Sequence, residues 1–351
     1  MKPHIVYPGT FSPPTYGHYR IVQRAAALFP EMTILCSSNP EKTDGKWFSQ
    51  EESKALWENY DLPENVTVET LTERKNKGVA YDPVVMVRGI RDEKDMPHEQ
   101  AVMKLNNQEY GIDHFFYIFA EKKFADISSS KARQAAQELD LISLAKCVPP
   151  KIVTMLLEKV LDIDNLFMVV GRPGAGKSTF LNLLNGINGK NVHVDTDIVS
   201  KAVRPLITER FGADTDLVAL AIDRQRELND LIAERWLRIL ADTLKTVPKR
   251  ANVFLEIPYG LNPGKELFRY VGSKVLYIGC ETPQENAGRI VRRGNPEHVR
   301  FIESIPDKDQ SSDIARNHGL QFLSVDSSGE LDTLRERAVQ FLETIDSKGG
   351  F

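Results

Sequence analysis

The sequence predicts an α/β protein made of two doubly wound parallel-sheet domains. Three observations predict this. Short apolar runs alternate along the chain with amphipathic stretches at helical spacing, the pattern of parallel strands joined by crossover helices. The series restarts about half-way, after the polar stretch Leu161–Asn165. Loops rich in glycine, hydroxyl and basic residues follow several of the strand-like runs, at the strand ends where a parallel sheet gathers its ligands.

In chain order, the strand-like runs of the first series are His4–Thr10, Met32–Ser37, Val66–Leu71, Val84–Gly89 and His114–Ala120. Helical patterns lie between them. In the first, Ile21, Ala25, Leu28 and Phe29 fall on one face at helical spacing. A helix over Pro149–Val160 closes the series. The second series begins with Leu166–Gly171 and continues through the runs VHVD, VFLEIP and VLYIG. The dividing line falls near Asp162–Asn165, giving domains 1–162 and 163–351.

The 351 residues are 41% hydrophobic and 27% charged, as in an ordinary globular protein. A net charge of −4 provides no global field for nucleic acid, so any bound anion must be held by local groups. Cys36, Cys147 and Cys280 are too far apart in sequence for a disulfide framework or a zinc-site spacing, which fits a reducing cytosol. The N-terminus lacks the charged start and apolar core of a signal peptide, and no run is long enough to span a membrane. The expectation is a cytoplasmic protein with neither nucleic-acid nor membrane partners.

Gly171–Thr179 (GRPGAGKST) is the most specific motif. It follows an apolar strand and opens an amphipathic helix, which is the context that G-x-x-x-x-G-K-[ST] requires. Gly171, Gly174, Ala175 and Gly176 let backbone N–H groups turn around a polyphosphate at a helix N-terminus. Lys177 reaches the β- and γ-phosphates, Ser178 ligates Mg²⁺, and Thr179 completes the motif. No guanine-reading N-K-x-D segment is present. VHVDTD follows instead, placing Asp195 and Asp197 at a strand end, where carboxylates orient Mg²⁺ or take a proton from a substrate hydroxyl. A later strand ends at Glu256 and Pro258, and a predicted helix carries Arg289, Arg292 and Arg293, cations able to clamp a transferring phosphoryl group. This pattern points to a small-molecule kinase. It resembles dephospho-CoA kinase, diffusely, over most of Leu166–Thr344. The resemblance implies a P-loop kinase fold, phosphorylation of a ribose 3′-hydroxyl, and Asp197 as the base. The segment Asp214–Lys249 departs from that family.

In the first half, Gly9–His18 (GTFSPPTYGH) follows a strand and opens a helix, with Thr10 as a hydroxyl and His18 as an imidazole at the helix N-terminus. VRGIRDEKDMPHE (Val87–Glu99), ISSSKAR (Ile127–Arg133) and the segment carrying Lys42 bring further cations and hydroxyls to other strand ends. Several converging on one edge suggest a triphosphate site. These motifs closely resemble phosphopantetheine adenylyltransferase over Ile5–Val160. The resemblance implies a Rossmann-like nucleotidyltransferase fold. It implies that Thr10 and His18 contact the reacting phosphates, that Lys42 and Arg88 hold the acceptor phosphate and the transition state, and that Phe11, Arg91, Glu99, Ser128, Ser129 and Ser130 bind ATP. Two departures stand out: Ser12 replaces an Asp usual in the family, and Thr72–Pro83 is polar where the family is apolar.

The combined expectation is a bifunctional coenzyme A synthase-like enzyme with ATP as substrate and Mg²⁺ as cofactor. It would convert 4′-phosphopantetheine, or a related phosphorylated small molecule, to dephospho-CoA and then to CoA, with self-association through the N-terminal domain. Two alternatives remain: a nicotinamide mononucleotide adenylyltransferase joined to a nucleoside kinase, and a non-catalytic nucleotide-binding regulator.

Overall fold

The restart of the βα series near residue 165 corresponds to two compact units in a computed structural model of the chain. One comprises Met1–Glu138 and Ser143–Ile152, the other Leu139–Ile142 and Val153–Phe351. The structure describes residues 4–37, 47–78, 84–216, 220, 223–257, 266–280, 283–294, 296–303 and 305–347.

The first unit holds five parallel strands, β1 (His4–Gly9), β2 (Met32–Cys36), β3 (Val66–Thr70), β4 (Val84–Ile90) and β5 (His114–Phe119), in the order β3-β2-β1-β4-β5. The winding reverses between β1 and β4, and the crevice beyond the strands' carboxyl ends at such a reversal is where these sheets bind ligands. Helix α1 (Tyr16–Ala26) buries Ile21, Val22, Ala25 and Ala26. It ends at Ala26, so the predicted apolar face is shorter than its periodicity suggested: Leu28 lies beyond the helix and is 62% exposed. Helices α2 (Gln50–Trp57) and α3 (Leu71–Asn76) each open with a reciprocal capping box, Ser49 with Glu52 and Thr70 with Glu73. α4 (Met96–Tyr110) stops at Gly111 in the left-handed region. α5 (Lys122–Ala125), α6 (Ser129–Glu138), α7 (Leu141–Cys147) and α8 (Pro150–Leu161) follow.

The compact units part within α8 rather than after it. Thr154 Oγ1 accepts from the Ser273 amide at 2.6 Å, and Glu158 accepts from Lys274 Nζ at 2.7 Å and from the Leu166 amide at 2.8 Å. These bonds tie the helix from Val153 onward to the second unit.

That unit is also a five-stranded parallel sheet: β6 (Asn165–Val170), β7 (Asn191–Asp195), β8 (Asn252–Glu256), β9 (Lys274–Gly279) and β10 (Gln321–Asp326), in the order β10-β9-β6-β8-β7. α9 (Lys177–Ile187) follows β6, and α10 (Asp197–Phe211) and α11 (Gln225–Leu244) lie between β7 and β8. α12 (Phe268–Val271) precedes β9, and α13 (Pro283–Arg292) and α14 (Lys308–Asn317) follow it. α15 (Leu331–Ser347) ends the described chain. Phe180, Leu181 and Leu184 of α9 and Phe341, Leu342 and Ile345 of α15 pack on Phe167 and Phe254 of the sheet. At the amino ends of the strands runs a buried polar ladder. Asn165 Nδ2 donates to Asn252 Oδ1 at 2.8 Å, Asn252 Nδ2 to Asn191 Oδ1 at 3.1 Å, and Lys274 Nζ to Asn165 Oδ1 at 2.8 Å. Among the described residues, no helix is long and apolar enough to cross a membrane.

Candidate functional sites

In the first unit, the chain leaves β1 at Gly9 and enters α1 through Thr15. Thr15 and His18 cap one another: Thr15 N–H donates to His18 Nδ1 at 3.1 Å, and His18 N–H donates to Thr15 Oγ1 at 3.5 Å. An imidazole nitrogen that accepts a backbone N–H carries no proton, so the proton of the neutral ring sits on Nε2. Burial, and then the charges of Arg91 and Arg88, push the His18 pKa down to about 4. His18 is therefore a neutral donor at physiological pH, with its ring fixed by the helix cap. Phe11, at φ 43°, is buried against Tyr7, His18 and Trp57 and supports the ring edge-on at 5.3 Å.

Gly17 lets a second helix start approach. A Cβ there would lie 2.9 Å from the Ile127 carbonyl oxygen, so only glycine admits this closeness between α1 and the segment entering α6. Across that approach, Ser129 Oγ donates to Pro13 O at 2.7 Å and Arg133 Nη1 to Ser12 O at 2.6 Å. Ser12 Oγ accepts the amides of Trp47 and Phe48 at 3.0 and 3.1 Å, using the acceptor capacity that an Asp would have offered there. Ser128 Oγ accepts the Lys131 amide, and Ser130 Oγ accepts from Arg133 Nη2 at 3.3 Å. Thr10 is half-buried between β1 and this loop.

At the end of β4, Arg88 and Glu99 form a buried two-point pair, Nε to Oε2 at 2.6 Å and Nη2 to Oε1 at 2.7 Å, with Arg88 Nη1 turned toward Pro8 O at 3.5 Å. The family resemblance implies different ligands for Arg88 and Glu99; the structure joins the two side chains, so Arg88 offers a ligand one edge of its guanidinium and not its full fork. Arg91, more exposed, is held by Asp95 at 2.7 and 3.0 Å. Lys42 lies outside the described residues. The site thus unites His18, Arg88, Arg91, Glu99 and the Ser128–Ser130 turn around one end of the sheet.

In the second unit, Gly171 leaves β6 at φ 149°, and a Cβ there would lie 2.0 Å from Ile278 O on β9. The loop is packed from behind. Ser327 Oγ donates to Ala175 O, and Arg289 of α13 donates from Nη2 to Ser327 O at 2.9 Å while also holding Glu285 at 2.6 Å. Gly174 and Gly176 take left-handed φ values of 75° and 84°. Lys177 is buried, with Nζ 3.0 Å from Gly171 O and 3.3 Å from Arg172 O. Ser178 Oγ donates to Glu256 Oε1 at 3.1 Å, and His193 Nε2 lies 2.9 Å from Glu256 Oε2. Burial would raise the Glu256 pKa, but the His193 contact, the Lys177 charge and the Ser178 hydrogen bond outweigh it and hold the carboxyl below its usual range. Asp195 ends β7 in register with Glu256. Asp197 begins α10; its side chain, like Pro258, lies outside the described residues. Thr179 is on the first turn of α9, whereas Arg292 and Arg293 are exposed, unlike Arg289. In sequence Glu256 is a carboxylate at a strand end, and its link to Ser178, 78 residues away, is visible only in the fold.

A cytidylyltransferase-like family model matches residues 6–135. Phosphopantetheine adenylyltransferase of Corynebacterium efficiens is 32% identical over 133 residues, covering 38% of this chain and 83% of that protein. The enzyme of the same name from Rhodopirellula baltica is 35% identical over 164 residues, covering 44% and 87%. Among solved structures, NadR protein in complex with NR overlaps 97% of each chain at 15% identity and a TM-score of 0.32. Shikimate kinase from Acinetobacter baumannii in complex with shikimate covers 54% of this chain and 98% of its own at 15% identity and a TM-score of 0.33.

Proposed function

The chain belongs, through its N-terminal part, to the phosphopantetheine adenylyltransferase family, and from that premise we propose a bifunctional, coenzyme A synthase-like enzyme: an adenylyltransferase over residues 1–162 and a P-loop kinase over 163–351. The first half is an ATP-using nucleotidyltransferase whose acceptor is 4′-phosphopantetheine or a related phosphomonoester. An acceptor phosphate oxygen attacks the α-phosphorus of ATP, a new P–O bond forms, and the bond to pyrophosphate breaks. No enzyme nucleophile is needed. The observation that carries this reading is His18, a neutral imidazole fixed by Thr15 with its Nε2 proton available to oxygens that gain charge during attack. Arg91, with Asp95, and Arg88, through its free edge, add positive potential beside it.

The second half phosphorylates a hydroxyl of a small molecule, with dephospho-CoA the first candidate. The loop backbone and Lys177 hold the ATP phosphates. Ser178, Glu256 and Asp195 make an all-oxygen donor set that suits Mg²⁺, directly or through water, and the ion would neutralise phosphate charge there. Asp197 orients and deprotonates the hydroxyl. Arg289 stands against the loop through Ser327 and supports the phosphate side. The three cysteines are free thiols, which fits the cytosol.

Product analysis tests the whole reading. With Mg-ATP and 4′-phosphopantetheine, or a related phosphomonoester, the first half should release pyrophosphate and the adenylylated product should then gain a phosphate. Absence of pyrophosphate with every phosphomonoester acceptor would remove the adenylyltransferase assignment.

A further inference from the structure

His193 belongs to none of the phosphate-handling motifs, yet it stands inside the second site. It lies on β7, two residues before Asp195, and residues two apart on a strand share a face. Asp195 is the register partner of Glu256 on the neighbouring strand, so the imidazole sits diagonally across from that carboxylate. Nε2 is 2.9 Å from Glu256 Oε2, and the two side chains are 17% and 14% exposed. Among the described residues, the buried Nε2 has no other hydrogen-bond partner.

Glu256 is otherwise held at its backbone and at one oxygen. The hydroxyl of Thr196, a fully buried residue, donates to the Glu256 main-chain carbonyl at 2.6 Å. The next amide, that of Ile257, donates to Val169 O of β6 at 2.8 Å, which fixes the chain where β8 ends. Ser178 Oγ donates to Glu256 Oε1 at 3.1 Å. The freedom left is rotation of the carboxylate, which would exchange its two oxygens, and His193 at Oε2 opposes it.

The contact has a direction. Burial opposes ionisation of Glu256, but the His193 contact and the Lys177 charge hold its carboxyl below the usual range, so at neutral pH it is ionised and only accepts. The imidazole nitrogen that faces it therefore carries a proton. Ser178 has one hydrogen and two lone pairs. While Oε1 takes the hydrogen, both lone pairs are left for a cation; a carboxylate free to turn would lose that order. We propose that His193 is a positioning residue of the kinase centre: it occupies Glu256 Oε2, commits Oε1 to the Ser178 hydrogen, and so keeps the Ser178 oxygen ready for the metal of Mg-ATP. The inference rests on the P-loop kinase reading and adds to it a group that itself touches neither nucleotide nor metal.

The test sets His193→Met, which keeps bulk and removes the N–H, beside His193→Gln, which keeps a donor at similar reach. Each full-length variant is titrated by calorimetry with a non-hydrolysable ATP analogue at graded Mg²⁺, and the binding step that Lys177→Ala removes is the one at the P-loop. His193→Met is expected to raise the Mg²⁺ concentration that half-saturates this step by about 10–100-fold, the usual loss when a partner behind a metal ligand is removed. The Mg²⁺ needed for half-maximal phosphorylation should rise by a similar factor. Nucleotide affinity of the same step without metal should not change, and His193→Gln should recover most of the loss. Pyrophosphate release by the first half, followed in the same solutions, should keep its wild-type Mg²⁺ dependence. An unaltered Mg²⁺ dependence in His193→Met overturns the inference. So does an equal defect in both variants, or a loss of metal-free binding, since either marks His193 as packing alone. Nitrogen-15 NMR of the wild-type histidine rings at neutral pH should find a proton on His193 Nε2; its absence overturns the inference even where His193→Met does not fold. A wild type whose nucleotide binding has no step sensitive to Lys177→Ala removes the P-loop kinase reading, and this inference with it.

Discussion

His18 shows how a residue visible in sequence acquires its chemical state only in the fold. The T-x-G-H spacing places an imidazole at a helix start, but its neutrality comes from burial and from Arg91 and Arg88, which lie 73 and 70 residues further along. The folded pKa of about 4 lies below the ordinary 6.5. Above pH 6.5 the ring is neutral in both the native and the unfolded chain. As pH falls from there toward 4, only the unfolded chain takes up the proton, so stability declines by about 3 kcal/mol across that window. An imidazole NMR titration of the full chain should find the His18 midpoint near 4, and a midpoint near 6.5 would contradict the assigned tautomer and role. His18→Ala should slow adenylyl transfer by about two to three orders of magnitude, the loss expected for one transition-state donor, without a matching change in the KM for ATP. Arg88 was legible as a cation at a strand end, whereas its two-point pairing with Glu99 was not, because nothing in the spacing of 11 residues says that the two side chains face each other. Glu99→Ala leaves the buried guanidinium without its partner and should destabilise the first unit by about 3 kcal/mol, measured by urea unfolding. A loss of activity with unchanged stability would instead make Glu99 a ligand-binding group alone.

At the scale of elements, strands with continuous apolar runs were the easiest to read, since a strand buried on both faces leaves no alternation to confuse. β6 and β9 are buried along their whole length and appear in the sequence as LFMVV and VLYIG. β10 escaped, because as an edge strand it is mostly half-exposed and its sequence, QFLSVD, mixes polar and apolar residues. The shortfall of α1 has the same kind of cause: the periodic apolar pattern continued past Ala26 after the backbone had left the helix. The asparagine ladder of the second sheet was not legible either, as Asn165, Asn191 and Asn252 are scattered in sequence and meet only when β7, β8 and β6 lie side by side. Asn252 is its middle rung. Asn252→Ala removes the acceptor of Asn165 and a donor to Asn191 inside a buried layer, and should cost about 2–4 kcal/mol in unfolding experiments. Asn252→Asp, which keeps an acceptor for Asn165 but buries a charge, should not restore the loss.

Across the whole molecule, the proposed function assigns one catalytic centre to each of the two parallel sheets, each with its own loop at the carboxyl ends of its strands. The doubled fold was legible because the βα series visibly restarts; the place where the compact units part was less so, because α8 reads as the end of one series while Thr154 and Glu158 bind it to the next. One centre can then be silenced without the other. Lys177 is the residue to change, because its Nζ is held at the P-loop and its charge helps keep the Glu256 carboxyl of the same unit below its usual range. Lys177→Ala removes a buried cation that the folded loop holds through two carbonyls, so its unfolding midpoint must be checked first. With the fold intact, ATP-dependent phosphorylation of the adenylylated product should fall by at least about three orders of magnitude, since the lysine neutralises charge on the transferring phosphoryl group. Pyrophosphate release by the first half should proceed at the wild-type rate, and the intermediate lacking the second phosphate should accumulate in proportion. His18→Ala is the mirror image: pyrophosphate release falls, while the kinase still phosphorylates the intermediate when it is supplied. Loss of both activities in either folded variant would mean that the two halves share one site, and the division of labour proposed for this chain would have to be abandoned.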